Sequence, residues 1–97
     1  MKEKTSIDSQ TMELIYKQIG LNVKKARQEK KISQLKLSLA IGHKAVGTIS
    51  MAEVFHKKKH FNIEHLVKIA DVLEVDIITL LEGIDTIIKN KNSLKEN

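Results

Sequence analysis

The sequence contains no cysteine and no proline, and it has only four glycines and three aromatic residues among its 97 residues. Without cysteine, disulfide bonds, thiolate catalysis and zinc sites built on sulfur ligands are excluded. The scarcity of proline and glycine leaves few positions that would interrupt a helix, which favours an all-helical fold. Three aromatic side chains are too few for the stacking platforms on which RNA and single strands are bound.

Long hydrophobic runs are also missing. No stretch of about 18 apolar residues occurs, and the first residues do not lead into the apolar core of a signal peptide. We therefore expect a soluble, cytoplasmic protein. The content of 41% apolar and 30% charged residues is that of a globular chain, and the length fits one small domain, too short for most catalytic architectures.

Charge is distributed unevenly along the chain. Residues 17–60 hold eleven Lys or Arg and two Glu, a net charge of +9, whereas residues 61–88 hold one Lys and six acids, a net charge of −5. Such asymmetry is expected when one face of a protein meets a polyanion and the other must stay away from it. Nucleic acid is the natural partner, although a lysine-rich surface that is merely solvated has the same composition.

Hydrophobic periodicity and capping residues predict five helices, with a turn at Gly42 and an exposed basic loop at 56–60. The helices are expected at 12–30, 34–41, 46–54, 63–73 and 77–81. Residues 1–11 are predicted to form a flexible arm, 12–88 a single helical domain, and 89–97 a disordered polar tail.

Two short helices joined at Gly42, the second followed by a basic loop, are the ingredients of a helix-turn-helix, whose second helix enters the major groove of DNA. Residues 19–82 resemble the Cro/CI-type (XRE) helix-turn-helix domain of phage repressors and small bacterial regulators. The resemblance rests on an ordered set of residues: Ile19-Gly20, Val23, Ala26-Arg27, Ile32-Ser33-Gln34, Leu37, Leu39-Ala40-Ile41-Gly42, Thr48-Ile49-Ser50, Glu53, Leu66, Ile69-Ala70, Leu73, Val75 and Leu80-Leu81. It implies an all-α, five-helix lambda-repressor-like fold and a sequence-specific, repressor-like transcriptional regulator that binds double-stranded DNA as a homodimer.

The resemblance also implies roles for individual residues. The set that reads base edges would be Lys44, Val46, Gly47, Thr48, Ser50 and Met51. The set that contacts DNA phosphates would be Gln34, His43, Lys57, Lys58, Lys59 and His60. Arg27 and Glu53 match a pair that forms a buried salt bridge in some relatives.

The turn departs from the family pattern in one respect. Residues 42–49 form a segment that is one residue longer than in the best-known phage repressors, and the third helix contains no Gln, Asn or Arg. Bidentate recognition of bases by this helix is therefore not expected. Specificity is left to Lys44 and to readout through water or DNA shape.

The sequence allows two interpretations of the helix-turn-helix scaffold and two of the apolar residues that follow the fifth helix. The same scaffold could serve an antitoxin-like or adaptor protein that binds a protein partner, an interpretation favoured by the poor hydrogen-bonding repertoire of the third helix. A dimer contact, or packing within their own chain, would equally explain the apolar residues Ile84, Ile87 and Ile88.

Other chemistry finds little support in the sequence. No cysteine accompanies the three histidines of the middle segment, His56, His60 and His65, and their spacing crosses a predicted helix boundary. We therefore expect no metal and no other cofactor. Because the serines lack a neighbouring histidine and carboxylate in any recognisable order, no enzyme activity is proposed.

Overall fold

The computed structural model describes residues 1–42 and 47–96. Within these ranges the chain forms six α-helices and a short 3-10 turn at His56–Lys58, and it has no strand. The helices are α1 (Ser9–Glu29), α2 (Gln34–Ala40), α3 (Gly47–Glu53), α4 (Ile63–Leu73), α5 (Ile77–Leu80) and α6 (Ile84–Glu96). The predicted all-α fold is confirmed, with one α-helix more than the five that were predicted.

Helix α1 begins at Ser9, three residues before the predicted start, because Asp8 acts as its N-cap. The carboxylate Oδ1 of Asp8 accepts hydrogen bonds from the backbone N–H and the hydroxyl of Thr11, at 2.8 and 2.7 Å. These bonds, the Thr11 hydroxyl first, lower the pKa of Asp8 below its ordinary value, and the neighbouring Lys91 ammonium adds to the effect. The non-helical N-terminal segment is accordingly 1–8 rather than 1–11.

The C-terminal segment differs from the disordered tail predicted at 89–97, since α6 continues to Glu96. No glycine or proline follows Gly83 to end the helix, and an i, i+4 pair joins Lys89 to Asp85 at 3.1 Å. The ammonium of Lys91 lies 3.0 Å from Asp8, which connects α6 to the start of α1. Hydrophobic periodicity does not detect contacts of this kind because their residues are polar.

Helix α1 lies along one side of the core and packs against α3, α4, α5 and α6. It buries a stripe of apolar residues at helical spacing, which meets Leu37 of α2, Ile49 of α3 and Leu66 of α4. Residues Ile84, Ile87 and Ile88 pack against this core from within the same chain. Across the described ranges, no helix is long and apolar enough to cross a membrane.

Candidate nucleic-acid interface

Helices α2 and α3 form the two arms of the helix-turn-helix. The hydroxyl of Ser33 caps α2 by accepting a hydrogen bond from the backbone N–H of Lys36 at 3.0 Å. Gly42 ends the helix with a φ of +92°, a left-handed backbone that glycine adopts without strain. The predicted DNA-contacting residues His43, Lys44 and Val46 lie outside the described residues.

Helix α3 has a buried face and an outward face. Ile49, Ala52 and Glu53 are buried against the rest of the domain. The four described members of the predicted base-reading set are all partly exposed: Gly47, Thr48, Ser50 and Met51. The Ser50 hydroxyl donates a hydrogen bond to the carbonyl oxygen of Gly47 at 3.2 Å, which leaves the lone pairs of that hydroxyl available as acceptors.

A buried ionic network fixes the end of α3 to α1 and α2. The guanidinium of Arg27 donates two hydrogen bonds to the carboxylate of Glu53, from Nε at 2.7 Å and from a terminal nitrogen at 3.0 Å. Its other terminal nitrogen donates to the carbonyl oxygen of Ile32 at 2.9 Å. Both side chains are nearly inaccessible to solvent, 9% for Arg27 and 0% for Glu53, so each charge is compensated by the other.

Gln34 belongs to the same network. Its Nε2 donates to Oε1 of Glu53 at 2.9 Å, so the side chain that was assigned to a DNA phosphate lies against a protein carboxylate. A carboxamide has a second N–H, and Gln34 is partly exposed at the first residue of α2. Phosphate contact by Gln34 therefore stays a prediction, and the structure adds a role in orienting α3.

Close approach of α1 to α3 requires a glycine at position 20. A β-carbon there would lie 2.5 Å from the carbonyl oxygen of Glu53 and 2.7 Å from that of Ala52. Since real side chains do not come so close to backbone oxygens, no larger residue fits without moving α3. Gly20 and the Arg27–Glu53 pair thus fix both the distance and the orientation of α3 relative to α1.

The segment 55–60, here called the lysine loop, follows α3. The side chains of Lys57, Lys58 and Lys59 are exposed. Lys58 makes only a long contact of 3.8 Å with Glu13, in which both groups are largely solvated. The three lysines therefore keep their charges on the surface next to the end of α3.

His60 is exposed, and its ring also contacts another part of the protein. Its ring stacks on the ring of Tyr16, with centroids 3.8 Å apart and planes at 18°. Its Nδ1 donates to the carbonyl oxygen of Lys58 at 3.1 Å. The sequence assigned His60 to a phosphate, and the stacking on Tyr16 was not foreseen because the two residues are far apart in the chain.

The outward face of α3 and the lysine loop lie side by side. A shallow depression is lined by Thr48 and Met51 of α3, by Lys59 and His60 of the loop, and by His65 of α4. Polar, apolar and cationic groups thus share one surface. In the part of the chain that the structure describes, no group of three His, Asp or Glu side chains is placed to hold a metal ion.

Helix α2, the turn and the oriented helix α3 define a helix-turn-helix DNA-binding domain. The family model described as helix-turn-helix matches residues 23–80, more than half of the chain. The protein therefore belongs to the XRE-type helix-turn-helix family, as its resemblance to Cro/CI-type domains implied. No curated protein and no solved structure matches the chain.

Proposed function

We propose that the protein is a sequence-specific regulator of transcription, of the repressor type, which inserts α3 into the major groove of double-stranded DNA. The observation that carries the proposal is the common surface formed by the outward face of α3 and the lysine loop. A helix in the groove and cations beside it are what a duplex requires, because bases are read in the groove and phosphates line its edges.

The residues of α3 suit a mixed form of readout. Thr48 can donate or accept hydrogen bonds, the Ser50 hydroxyl can accept them, and Met51 can contact the methyl group of thymine. Gly47 at the start of α3 would let the backbone approach the bases closely, and Lys44 and Val46, which precede α3 in the sequence, complete the proposed set. The phosphate set is proposed to comprise Gln34, His43, Lys57, Lys58, Lys59 and His60.

We further propose that the regulator acts as a homodimer on a pseudo-palindromic site, with its two recognition helices about 34 Å apart. Ile84, Ile87 and Ile88 of α6 are already partly covered by their own chain. The proposed dimer contact would therefore also include the apolar surface between α1 and α6, where Leu14 is exposed. Light scattering should give two protein chains per duplex carrying the selected site. A complex of one chain with one duplex at full affinity would contradict this arrangement.

Binding to mixed-sequence duplex over a series of salt concentrations tests the proposed surface. Replacing Lys57 and Lys59 by Ala should reduce the slope of log K against log[salt] by roughly 1.8, about 0.9 for each phosphate that is no longer neutralised. Lys68→Ala with Lys89→Ala is the matched control, because it removes the same charge from exposed i, i+4 pairs on α4 and α6. We expect the control to leave the slope nearly unchanged.

The same experiment separates the proposal from its alternative. Weak binding with a flat salt slope in the wild type, unaffected by either pair of substitutions, would contradict DNA binding through this surface. That outcome would instead favour an antitoxin-like or adaptor protein that uses the scaffold for a protein partner. If the wild type instead binds duplex with the expected salt slope, selection from a random duplex pool would identify its operator.

A further inference from the structure

We infer that Tyr16 is a positioning residue for DNA binding, which holds the lysine loop in the conformation that meets the phosphates; this inference rests on the proposed function. Tyr16 lies on α1, outside the helix-turn-helix, and was not among the candidate residues found in the sequence. Its ring stacks on His60 at 3.8 Å and on Phe55 at 6.0 Å, both with planes at 18°. Tyr16 therefore contacts both ends of the lysine loop.

His60 connects the Tyr16 ring to the backbone of the lysine loop. His60 donates from Nδ1 to the carbonyl oxygen of Lys58, 3.1 Å away, so its ring connects Tyr16 to the middle of the loop. The loop also carries two internal backbone bonds, from the N–H of Lys58 to the carbonyl oxygen of Phe55 and from the N–H of Lys59 to that of His56. Fixing His60 thus fixes the peptide units that present the lysines.

The lysine loop needs such support because its conformation is unfavourable by itself. Phe55, Lys57 and Lys58 all have left-handed backbone angles, with φ of 57°, 52° and 63°. Residues with a β-carbon adopt this region at a cost in free energy, and they remain there only when surrounding contacts hold them. Three adjacent lysines also repel one another, which favours a more open loop.

The ionic contact between the loop and α1 supplies little of this support. Lys58 and Glu13 are 3.8 Å apart, with side chains 81% and 41% exposed, and such pairs contribute little in water. Stacked aromatic rings are insensitive to salt and add to the burial of apolar surface. The Lys17 ammonium also lies over the Phe55 ring, 5.9 Å from its centroid, but the Tyr16–His60 stack is the closer contact, at 3.8 Å, and it can order the loop before DNA arrives.

A loop that is already ordered binds more tightly, since less conformational entropy is lost on complex formation. We expect Tyr16→Ala to weaken duplex binding by about three- to tenfold, the range that corresponds to removing an aromatic pair. Tyr16→Phe should bind like the wild type because it keeps the ring. Leu21→Ala, at an exposed position of the same helix, is the control for a general effect of shortening a side chain on α1.

A double-mutant cycle shows whether Tyr16 acts through the lysines. In the Lys57→Ala, Lys59→Ala background, Tyr16→Ala should lose much of its effect on affinity, since two of the three lysines that it positions are gone. A loss of general stability would lower affinity equally in both backgrounds. Circular dichroism at the assay temperature verifies that every variant is folded. Ring stacking at 3.8 Å should shift the His60 Cε1 proton upfield in the wild type, and this shift should disappear in Tyr16→Ala.

The outcomes separate this inference from the proposed function. Wild-type binding with the expected salt slope, combined with equal affinity for Tyr16→Ala or an equal loss in both backgrounds, would overturn the positioning role alone. An unshifted His60 proton in the wild type would also overturn it. Failure of the wild type to bind duplex would overturn the proposed function and the inference together.

Discussion

Gly20 determines how closely the first helix can approach the recognition helix. Its hypothetical β-carbon would lie 2.5 Å from the carbonyl oxygen of Glu53, so Gly20→Ala must push α3 away from α1. Overpacking of this kind costs about 1–3 kcal/mol in the free energy of unfolding. Urea titration of the folded domain measures this cost directly.

A second glycine provides the comparison. Gly47 has nothing within 4 Å of its hypothetical β-carbon, and it lies within α3, where Ala is the better helix former. We therefore expect Gly47→Ala to be neutral or stabilising in the same titration. Equal losses at Gly20 and Gly47 would show that the distance between α1 and α3 is not set by the glycine at position 20.

Glu53 is the residue on which the orientation of α3 most depends. Its carboxylate accepts hydrogen bonds from Arg27 and Gln34, and it is completely buried. Glu53→Ala would leave the Arg27 guanidinium buried without a counter-charge, at a cost of about 3–5 kcal/mol. Gln34→Ala removes one neutral donor to a charged acceptor and should cost about 1.5–3 kcal/mol, the range for a hydrogen bond to a charged group.

Chemical denaturation compares these variants. Replacing both charged partners, with Arg27→Met and Glu53→Leu, should recover much of the stability lost in Glu53→Ala because no unpaired charge remains. A Glu53→Ala protein as stable as Gln34→Ala would be inconsistent with a buried ion pair. Duplex binding of the double variant then reports whether the pair also matters for the position of α3.

At the scale of elements, the start of α1 depends on the charge of one side chain. The pKa of Asp8 is lowered in the folded chain, chiefly by the Thr11 hydroxyl, so the unfolded chain takes up a proton more readily. This contribution to stability is present above the ordinary Asp pKa of about 3.9 and is lost as the pH falls below it toward the lowered folded value. Unfolding measured against pH should reveal this loss.

Asp8→Asn isolates the contribution of Asp8 from that of the other acids. Asn caps helices nearly as well as Asp, but it has no charge to attract Lys91 and does not titrate. The wild type should be the more stable protein at neutral pH, and the difference should vanish in acid. A difference that stayed constant across the range, or grew in acid, would refute the assignment of the cap.

The elements also show what a sequence can predict about this fold. Helices with an apolar stripe, such as α4, were located correctly because burial imposes the helical period on their residues. The early start of α1 and the extension of α6 depend on polar contacts, Asp8 with Thr11 and Asp8 with Lys91, which leave no periodic signal.

In the candidate interface, too, some contacts were predicted from the sequence and others were missed. The pairing of Arg27 with Glu53 was expected only through the family resemblance, since 26 residues separate the two positions and no local rule connects them. The stacking of Tyr16 on His60 was missed, because an aromatic residue on an amphipathic helix is most simply explained as part of the core. The hydrogen bond of Gln34 to Glu53 was missed for lack of a long-range signal.

At the scale of the whole molecule, the uneven charge corresponds to a division between the helices. The basic residues 17–60 include the helix-turn-helix and the lysine loop, whereas the acidic residues 61–88 form α4, α5 and the start of α6. An acidic half repels a polyanion and favours the orientation in which α3 faces the DNA. The protein should therefore approach a duplex with one defined side.

Site-directed cross-linking tests this orientation most directly. Because the chain has no cysteine, Thr48→Cys on α3 and Ile78→Cys on α5, where the native side chain is 71% exposed, can each carry a single photoreactive label. With bound duplex, the label at position 48 should cross-link to DNA and the label at 78 should not. Cross-linking at 78 equal to or stronger than that at 48 would contradict the central claim that α3 and the lysine loop form the DNA-binding face.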